Sequence, residues 1–403
     1  FGLSFLDEVI IPDSVTFIGD CAFNGCPIKK MSIPSSVESI GIKAFYGCKF
    51  TEITINPMKT KMKNNSFSRI SHLIFDSSIT EIHRFDLRPF DSVTKITIPE
   101  SVTTIDDMAF GNLQFLREIS IPSSVQFIGS SVFKGCLRLN EITIDPYKTE
   151  LNDDSFMNCK SLQHLIFGPS VVTVEPIDLS QFKSLLKITI PPTVALVKSN
   201  AFNGSPKLSE VVIDPYSTKV EPNPFSNCRS FKNLILGPSV EKAIAFDYNL
   251  FGDVFQITIP KTVKSIERKA FYNCKSIQRI LFLSNAQSIE DFSFCGCSSL
   301  QLITYTDSYS IFNNILIRIP ISVKSIGTES FAYCSSITRL YIPSSVQSIG
   351  NGAFNECSNL NEITIDPYTT KIEPDAFLNC TSLNNLIFGP SVSEINNYDF
   401  NIF

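Results

Sequence analysis

The chain has 403 residues, 43 % hydrophobic and 18 % charged, with 34 basic against 39 acidic side chains and a net charge of −5. That hydrophobic share supplies a large core and excludes a disordered chain. The weak acidic balance, with signs interleaved, argues against the concentrated basic face that a nucleic-acid binder needs. No apolar run reaches 18 residues, so the sequence holds no helical membrane span. The aromatic content is lopsided, with 34 Phe, 11 Tyr and no Trp, and the first residue is Phe1 rather than Met.

From the N-terminus onward the motif Ile-Pro-x-Ser-Val recurs. Its first position falls at Ile11, Ile33, Ile55, Phe75, Ile98, Ile121, Ile144, Phe167, Ile190, Ile213, Leu236, Ile259, Phe282, Tyr305, Ile319, Ile342, Ile365 and Phe388. Of the 17 intervals between these 18 anchors, 13 are 23 residues long, two are 22, one is 20 and one, Tyr305 to Ile319, is 14. A fixed period in this range predicts a leucine-rich-repeat solenoid. The expected architecture is a single array over residues 1–403, a right-handed, mainly β superhelix of about 18 coils of ~23 residues.

Each unit ends in a period-2 alternation, as in Leu139-Asn-Glu-Ile142-Thr-Ile144, which predicts a short strand with one buried face. Stacked from coil to coil, these strands form a parallel sheet with neighbours roughly 4.8 Å apart. The Pro after each anchor lacks an N–H, so it ends the strand and starts the turn. Twelve residues after the anchor stands Phe in 14 of the 18 coils, from Phe23 to Phe400, and this column predicts a stacked aromatic spine.

A longer pattern overlies the unit. Coils opening Ile-Asp-Pro-Tyr (Ile144, Ile213, Ile365) are each followed by one opening Gly-Pro-Ser (Gly168, Gly237, Gly389), which suggests growth by duplication of blocks of three or four coils. Between Phe282 and Ile319 the pattern degrades, and a local bend or bulge is expected there.

The unit IPSSVQSIGNGAFNECSNLNEITI, Ile342 to Ile365, resembles the BspA-like, or treponemal-type, leucine-rich repeat, and the resemblance covers essentially the whole chain. It implies a curved solenoid used for binding, found in surface and secreted proteins of mucosal bacteria and in protist parasites, with adhesion to host proteins or cells as the reported role. It carries no catalytic residues and implies no cofactor. Asn and Lys enrichment with one Cys per unit is closer to the protist versions. Terminal caps are missing from the chain, so the native polypeptide is expected to continue at both ends or to have them covered by partners.

Other residue clusters have structural explanations. Ten of the 12 Cys lie fifteen residues after their anchor, in a slot held elsewhere by Leu113, Phe90 or Phe182. Stacked neighbours with parallel Cβ vectors are slightly too far apart to bridge, so buried free thiols are expected. Cys295-Gly-Cys297 lacks the second ligand pair of a zinc site. His72 and His164 share a strand slot four coils apart and cannot share a metal ion; solvated face histidines are expected, and no serine-nucleophile motif accompanies them. Gly350-Asn-Gly352 is the repeat's own turn. Sequons at Asn64, Asn203 and Asn379 are explained as well by chance as by export.

The outward row of the sheet, including Thr97, Thr143 and Thr189, with Glu118, Glu141 and Glu210 beside it among Lys95 and Lys187, is the candidate protein-binding face. Tyr147, Tyr216 and Tyr368 of the Asp-Pro-Tyr coils are candidate aromatic anchors, or rings lying over their own turns. The functional expectation is a non-enzymatic protein-recognition module at the cell surface or secreted, with a protein ligand. The alternative is an intracellular scaffold or filament-associated protein.

Overall fold

The computed structural model describes residues 9–145, 150–151, 159–180, 182–252, 254–304, 316–366 and 371–389. The unbroken repeat predicts one array; contacts gather the chain into two compact units, residues 1–174, 178–189 and 204–208 in the first and 175–177, 190–203 and 209–403 in the second. Composition gives no sign of this division, because every coil meets its neighbours through the same repeat surface.

In the first unit the face strands are β1 (Lys30–Ser32), β2 (Phe45–Ile55), β3 (Phe67–Phe75), β4 (Lys95–Thr97), β5 (Glu118–Ile121), β6 (Glu141–Ile144), β7 (His164–Phe167) and β8 (Lys187–Thr189). The second unit carries β9 (Glu210–Ile213), β10 (Asn233–Leu236), β11 (Gln256–Ile259), β12 (Arg279–Phe282), β13 (Leu302–Thr304), β14 (Ile317–Arg318), β15 (Arg339–Ile342), β16 (Glu362–Ile365) and β17 (Asn385–Phe388). Within each unit these strands pair in parallel and in register, one repeat apart, as Ile142 does with Leu165 and Ile363 with Leu386. A two-residue strand at Ser-Val-x-x-Ile builds a second parallel ladder, as at Phe127–Ile128 against Thr104–Ile105. The solenoid prediction therefore holds, with 17 face strands among the described residues against 18 anchors; residues 9–11 form no strand.

The expected irregularity between Phe282 and Ile319 has a definite form. Strand β14 inserts between β13 and β15 on the face, with Ile317 paired to both Ile303 and Leu340. On the opposite side the second ladder and the spine step directly across this interval. There Ser288 and Ile289 pair directly with Ser325 and Ile326, and Phe294 stacks on Phe331. The face is thus one strand longer than the spine at that point.

The spine forms as predicted. In the first unit Phe23, Phe45 and Phe67 stack with centroids 5.1 and 5.2 Å apart and rings within 4° of parallel. In the second, Phe271, Phe294, Phe331, Phe354 and Phe377 continue at 5.0, 5.1, 5.2 and 5.3 Å. Tyr248 takes the slot in its own coil and stacks on Phe271 at 5.1 Å, a member the Phe count overlooks. Phe156 and Phe400 lie outside the described residues.

The Cys column has a reason beyond its apolar size. In eight of the ten column Cys the backbone N–H closes the turn onto its own spine Phe carbonyl, as Cys136 does on Phe133 at 3.1 Å. The thiol of the next coil donates to that same oxygen: Cys48 to Phe23 (3.2 Å), Cys136 to Phe110 (3.2 Å), Cys297 to Phe271 (3.0 Å) and Cys357 to Phe331 (3.2 Å). A small group with one weak donor fits the slot, which explains why Ser or Ala does not dominate it. All 12 thiols are free, and eleven are buried. Burial pushes Cys136 and Cys159 up to about 12 and Cys295 up to about 11, so these thiols stay protonated and unreactive. Titration of the native protein with a thiol reagent such as Ellman's is expected to count about one fast thiol, exposed Cys21, and all twelve once denaturant is added. Fast reaction of several thiols in the native state would contradict the packed column.

Candidate recognition face

Two outward rows run along the sheet of the first unit. One places Lys95, Glu118, Glu141, His164 and Lys187 opposite one another on successive strands; the other places Thr97, Ser120, Thr143, Ile166 and Thr189. Alternation on each strand buries Ile119, Ile142 and Leu165 and leaves the row residues half-buried or exposed. The fold therefore brings Thr97, Glu118, Glu141, Thr143 and Thr189 onto one surface.

The charged row neutralises itself in blocks. Lys95 Nζ lies 2.7 Å from Glu118, and Lys30 Nζ lies 3.5 Å from Glu52. Glu118 and Glu141, directly opposed, are relieved from either side by Lys95 and by His164. With side chains 23–50 % exposed, such pairs add about 0–1 kcal/mol each, so they pattern the surface more than they hold it.

The two face histidines are not simply solvated. His164 meets Glu141 through Nδ1 at 3.0 Å and Thr189 through Nε2 at 2.8 Å. His72 repeats the arrangement, with Glu52 3.7 Å from Nδ1 and Thr97 Oγ1 2.7 Å from Nε2. At His164 a neutral imidazole satisfies both contacts, Nδ1–H donating to the carboxylate and Nε2 accepting from the hydroxyl. Aligned by column, the sequence shows Glu one coil before each of these His and Thr one coil after, and that was the available signal.

Burial lowers the His72 pKa, with Glu52 pulling the other way. On acidification the unfolded chain takes up the proton first, so the stability from this group is complete above the ordinary value of 6.5 and falls as pH drops through and below it. His83 acts oppositely: its hydrogen bond to Asp106 raises its pKa, so its stabilisation is present below 6.5 and lost as pH rises through the folded value. Thermal midpoints measured between about pH 7.5 and 5.5 are expected to fall less steeply for His72→Gln than for the unaltered chain; equal slopes would remove this assignment.

The second unit presents a different face. Glu210 begins an amide ladder, accepting from Asn233 Nδ2 at 3.4 Å, while Asn233 Oδ1 accepts from Gln256 Nε2 at 3.3 Å and from Thr258 Oγ1 at 3.1 Å. Val212, Thr258 and Leu281, expected to lie open in the outward row, are buried at 8 %, 4 % and 3 % exposure. Farther along, Arg318 lies over the Tyr341 ring at 4.7 Å and the Tyr341 hydroxyl donates to Asp366 at 3.3 Å.

Tyr216 is not on this surface. Its ring is half-buried, its hydroxyl is 3.0 Å from that of fully buried Tyr248, and burial pushes the phenol up to about 12. In this copy the Asp-Pro-Tyr ring packs against Phe246 and Tyr248 of the following coil. Tyr147 and Tyr368 lie outside the described residues.

The Asp of that motif has its own task. Asp145 accepts from the Ser170 backbone N–H at 2.6 Å and from its hydroxyl at 3.2 Å, and Asp214 accepts from Ser239 at 2.7 Å. A Cβ at Gly168 would sit 2.3 Å from the Asp145 carboxyl carbon. The carboxylate thus occupies the space that glycine leaves at Gly168, as Asp366 does at Gly389 (2.3 Å), whereas at Gly237 a Cβ would meet only backbone, at 3.4 Å.

Among the described residues no group of three His, Cys, Asp or Glu side chains is placed to hold a metal ion, and no helix is long and apolar enough to cross a membrane.

Among solved structures the chain is similar to a leucine-rich repeat protein from Bacteroides ovatus at 24 % identity, covering 91 % of this chain and 83 % of that one, with a TM-score of 0.26. It is similar to a leucine rich cell surface protein from Faecalibacterium prausnitzii at 21 % identity, with 87 % and 89 % covered and a TM-score of 0.28. It is also similar to the pneumococcal vaccine antigen PcpA at 19 % identity, with 94 % and 82 % covered and a TM-score of 0.29. No curated protein matches the chain. The family of the BspA type leucine rich repeat region matches residues 1–114, 88–209, 173–253, 245–317 and 308–402, the same repeat that builds the faces and the spine. The chain therefore belongs to the BspA-type leucine-rich-repeat family.

Proposed function

We propose that this protein is a non-enzymatic recognition module at the cell surface or secreted, of the adhesion type, which binds a protein ligand on the sheet face of its first unit. The observation that carries this reading is the patterned row Lys95, Glu118, Glu141, His164, Lys187 beside the Thr row: an open surface whose charges are paired yet half-exposed. Such a surface selects partners by charge register more than by bulk affinity. Because each cation stands beside a carboxylate or a histidine, the row suits a protein better than a phosphate backbone. Repeat proteins commonly bind through an extended face of this kind, and the named cell-surface relative is in keeping with the location.

Antibody labelling of intact against permeabilised source cells tests the location, with labelling of intact cells expected. Once a ligand is in hand, Glu118→Lys with Glu141→Lys should weaken binding at least tenfold without moving the thermal midpoint, whereas Lys264→Glu on the second unit should leave it alone. A second reading, an intracellular scaffold, is favoured by one observation, that all 12 thiols are free. Signal only after permeabilisation would select it.

A further inference from the structure

One coil of the first unit has lost most of the turn between spine and face. From Phe45 to Phe50 the chain spends four residues, Tyr46 to Lys49; from Phe67 to Ile70, the equivalent positions one coil on, it spends two, Ser68 and Arg69. This is the 20-residue interval, and it has no Cys slot. Strands β2 and β3 accordingly run on to 11 and 9 residues, with a register irregularity between Phe45 and Lys49. Where other coils carry the turn there is an open hollow of about 770 Å³, bordered by Tyr46, Lys49, Lys63, Arg69 and the segment 86–91.

The charge around this hollow is unbalanced. Lys49 and Arg69 are register partners on adjacent strands, and both are exposed. Lys63, also exposed, adds a third cation to the lining. None of the three makes an ion pair among the described residues. Arg88 is already gripped by Asp86 through Nε at 2.9 Å and a terminal nitrogen at 2.8 Å, which leaves Asp91 as the other acid in the lining. Like charges directly opposed across strands are destabilising. On the candidate recognition face the opposed pair Glu118 and Glu141 is relieved by Lys95 and His164; here no described residue plays that part.

We propose that this hollow binds an acidic saccharide, whose sulfate or carboxylate groups seat on Lys49, Lys63 and Arg69. Arg69 can take an oxyanion through two N–H groups, while the lysines act as point charges. The rest of the lining suits a sugar: Asn64 and Asn65 supply donors and acceptors for hydroxyls, and the Tyr46 ring, 46 % exposed with Lys43 Nζ 5.5 Å from its centroid, offers an apolar surface for ring C–H groups. The site is distinct from the outward rows and would add a glycan contact to a protein contact.

The test is calorimetric titration of the full chain with a heparin-derived hexasaccharide at low and moderate salt. The expected result is binding that weakens as salt rises, that drops at least tenfold in the double variant Lys49→Gln with Arg69→Gln, and that Lys261→Gln on the second unit does not alter. Because the double variant removes a repulsion, its thermal midpoint should stay level or rise. No binding by the unaltered chain, equal binding by the double variant, or a lowered midpoint in that variant would overturn the proposal. Tighter binding of an oligoglutamate peptide of equal charge would overturn the saccharide class.

Discussion

Phe331→Ala is expected to destabilise the second unit by about 3–5 kcal/mol, among the largest effects of any single truncation in the chain. The ring is fully buried and stacks between Phe294 at 5.1 Å and Phe354 at 5.2 Å, with interplanar angles of 13° and 3°. Truncation loses the transfer free energy of the ring and leaves a cavity that neither neighbour can fill, because each is held by the next ring in the column. The backbone limits collapse as well, since the Phe331 carbonyl accepts from the Cys334 N–H and the Cys357 thiol. Phe331→Leu should recover roughly half the loss, as it restores volume without the stacked face. Denaturant unfolding followed by circular dichroism reads the difference, with Phe17→Ala, 54 % exposed, as a control expected within about 1 kcal/mol of the unaltered chain. A loss below 1 kcal/mol at Phe331 would mean that the spine is not close-packed.

Gly129→Ala is expected to cost about 2–3 kcal/mol, an unusual penalty for one added methyl. The backbone angles there are ordinary, so strain is not the cause. The added Cβ would stand 2.5 Å from the backbone nitrogen of Asp107 and 2.5 Å from its carboxylate oxygen, the same oxygen that accepts from the Ser130 N–H at 2.7 Å. Both obstacles belong to the preceding coil, so relief means moving one coil off the other. The arrangement recurs where Gly41 meets Asp20 and Gly327 meets Asp291. Gly19→Ala, whose Cβ would meet only a Phe17 ring atom at 3.8 Å, should be neutral or slightly stabilising. If Gly129→Ala and Gly19→Ala unfold at the same denaturant concentration, close coil-to-coil approach is not what selects glycine there.

These two expectations differ in how early they can be made. A Phe every 23 residues announces a stacked column, because the period alone places the rings one above another. The Gly of the Ile-Gly turn is equally periodic, yet its reason lies across the coil boundary, in an Asp or Thr one coil earlier. The candidate recognition face divides in the same way. Its strands, their outward rows and the position of Glu118, Glu141 and the Thr column follow from alternation. The Glu–His–Thr chains, the burial of Val212 and Leu281 and the inward role of Tyr216 do not, since each depends on which long side chain leans on which neighbour.

The periodic features of this protein, namely strand, turn, spine and thiol column, were legible in the residues because a repeat stacks like on like: a position's type at one coil predicts its surroundings at every other. Tertiary structure alone decided the features that couple unlike positions of neighbouring coils. The tenth residue after the anchor adopts a left-handed backbone as Cys21, Lys43, Met108, Ser131 or Glu329, types that carry no such preference. It is held there by the next coil, as the Cys21 N–H bonds to the Ile42 carbonyl and that of Met108 to Ser130. A backbone hydrogen bond reads no side chain, so the sequence marks this column only in part, at Asn65, Asn200, Asn223, Gly352 and Asp375. The hollow at Lys49 and Arg69 was hidden for a related reason. Three residues missing from one interval register in a sequence as a number, and only the fold converts them into a space with charge around it.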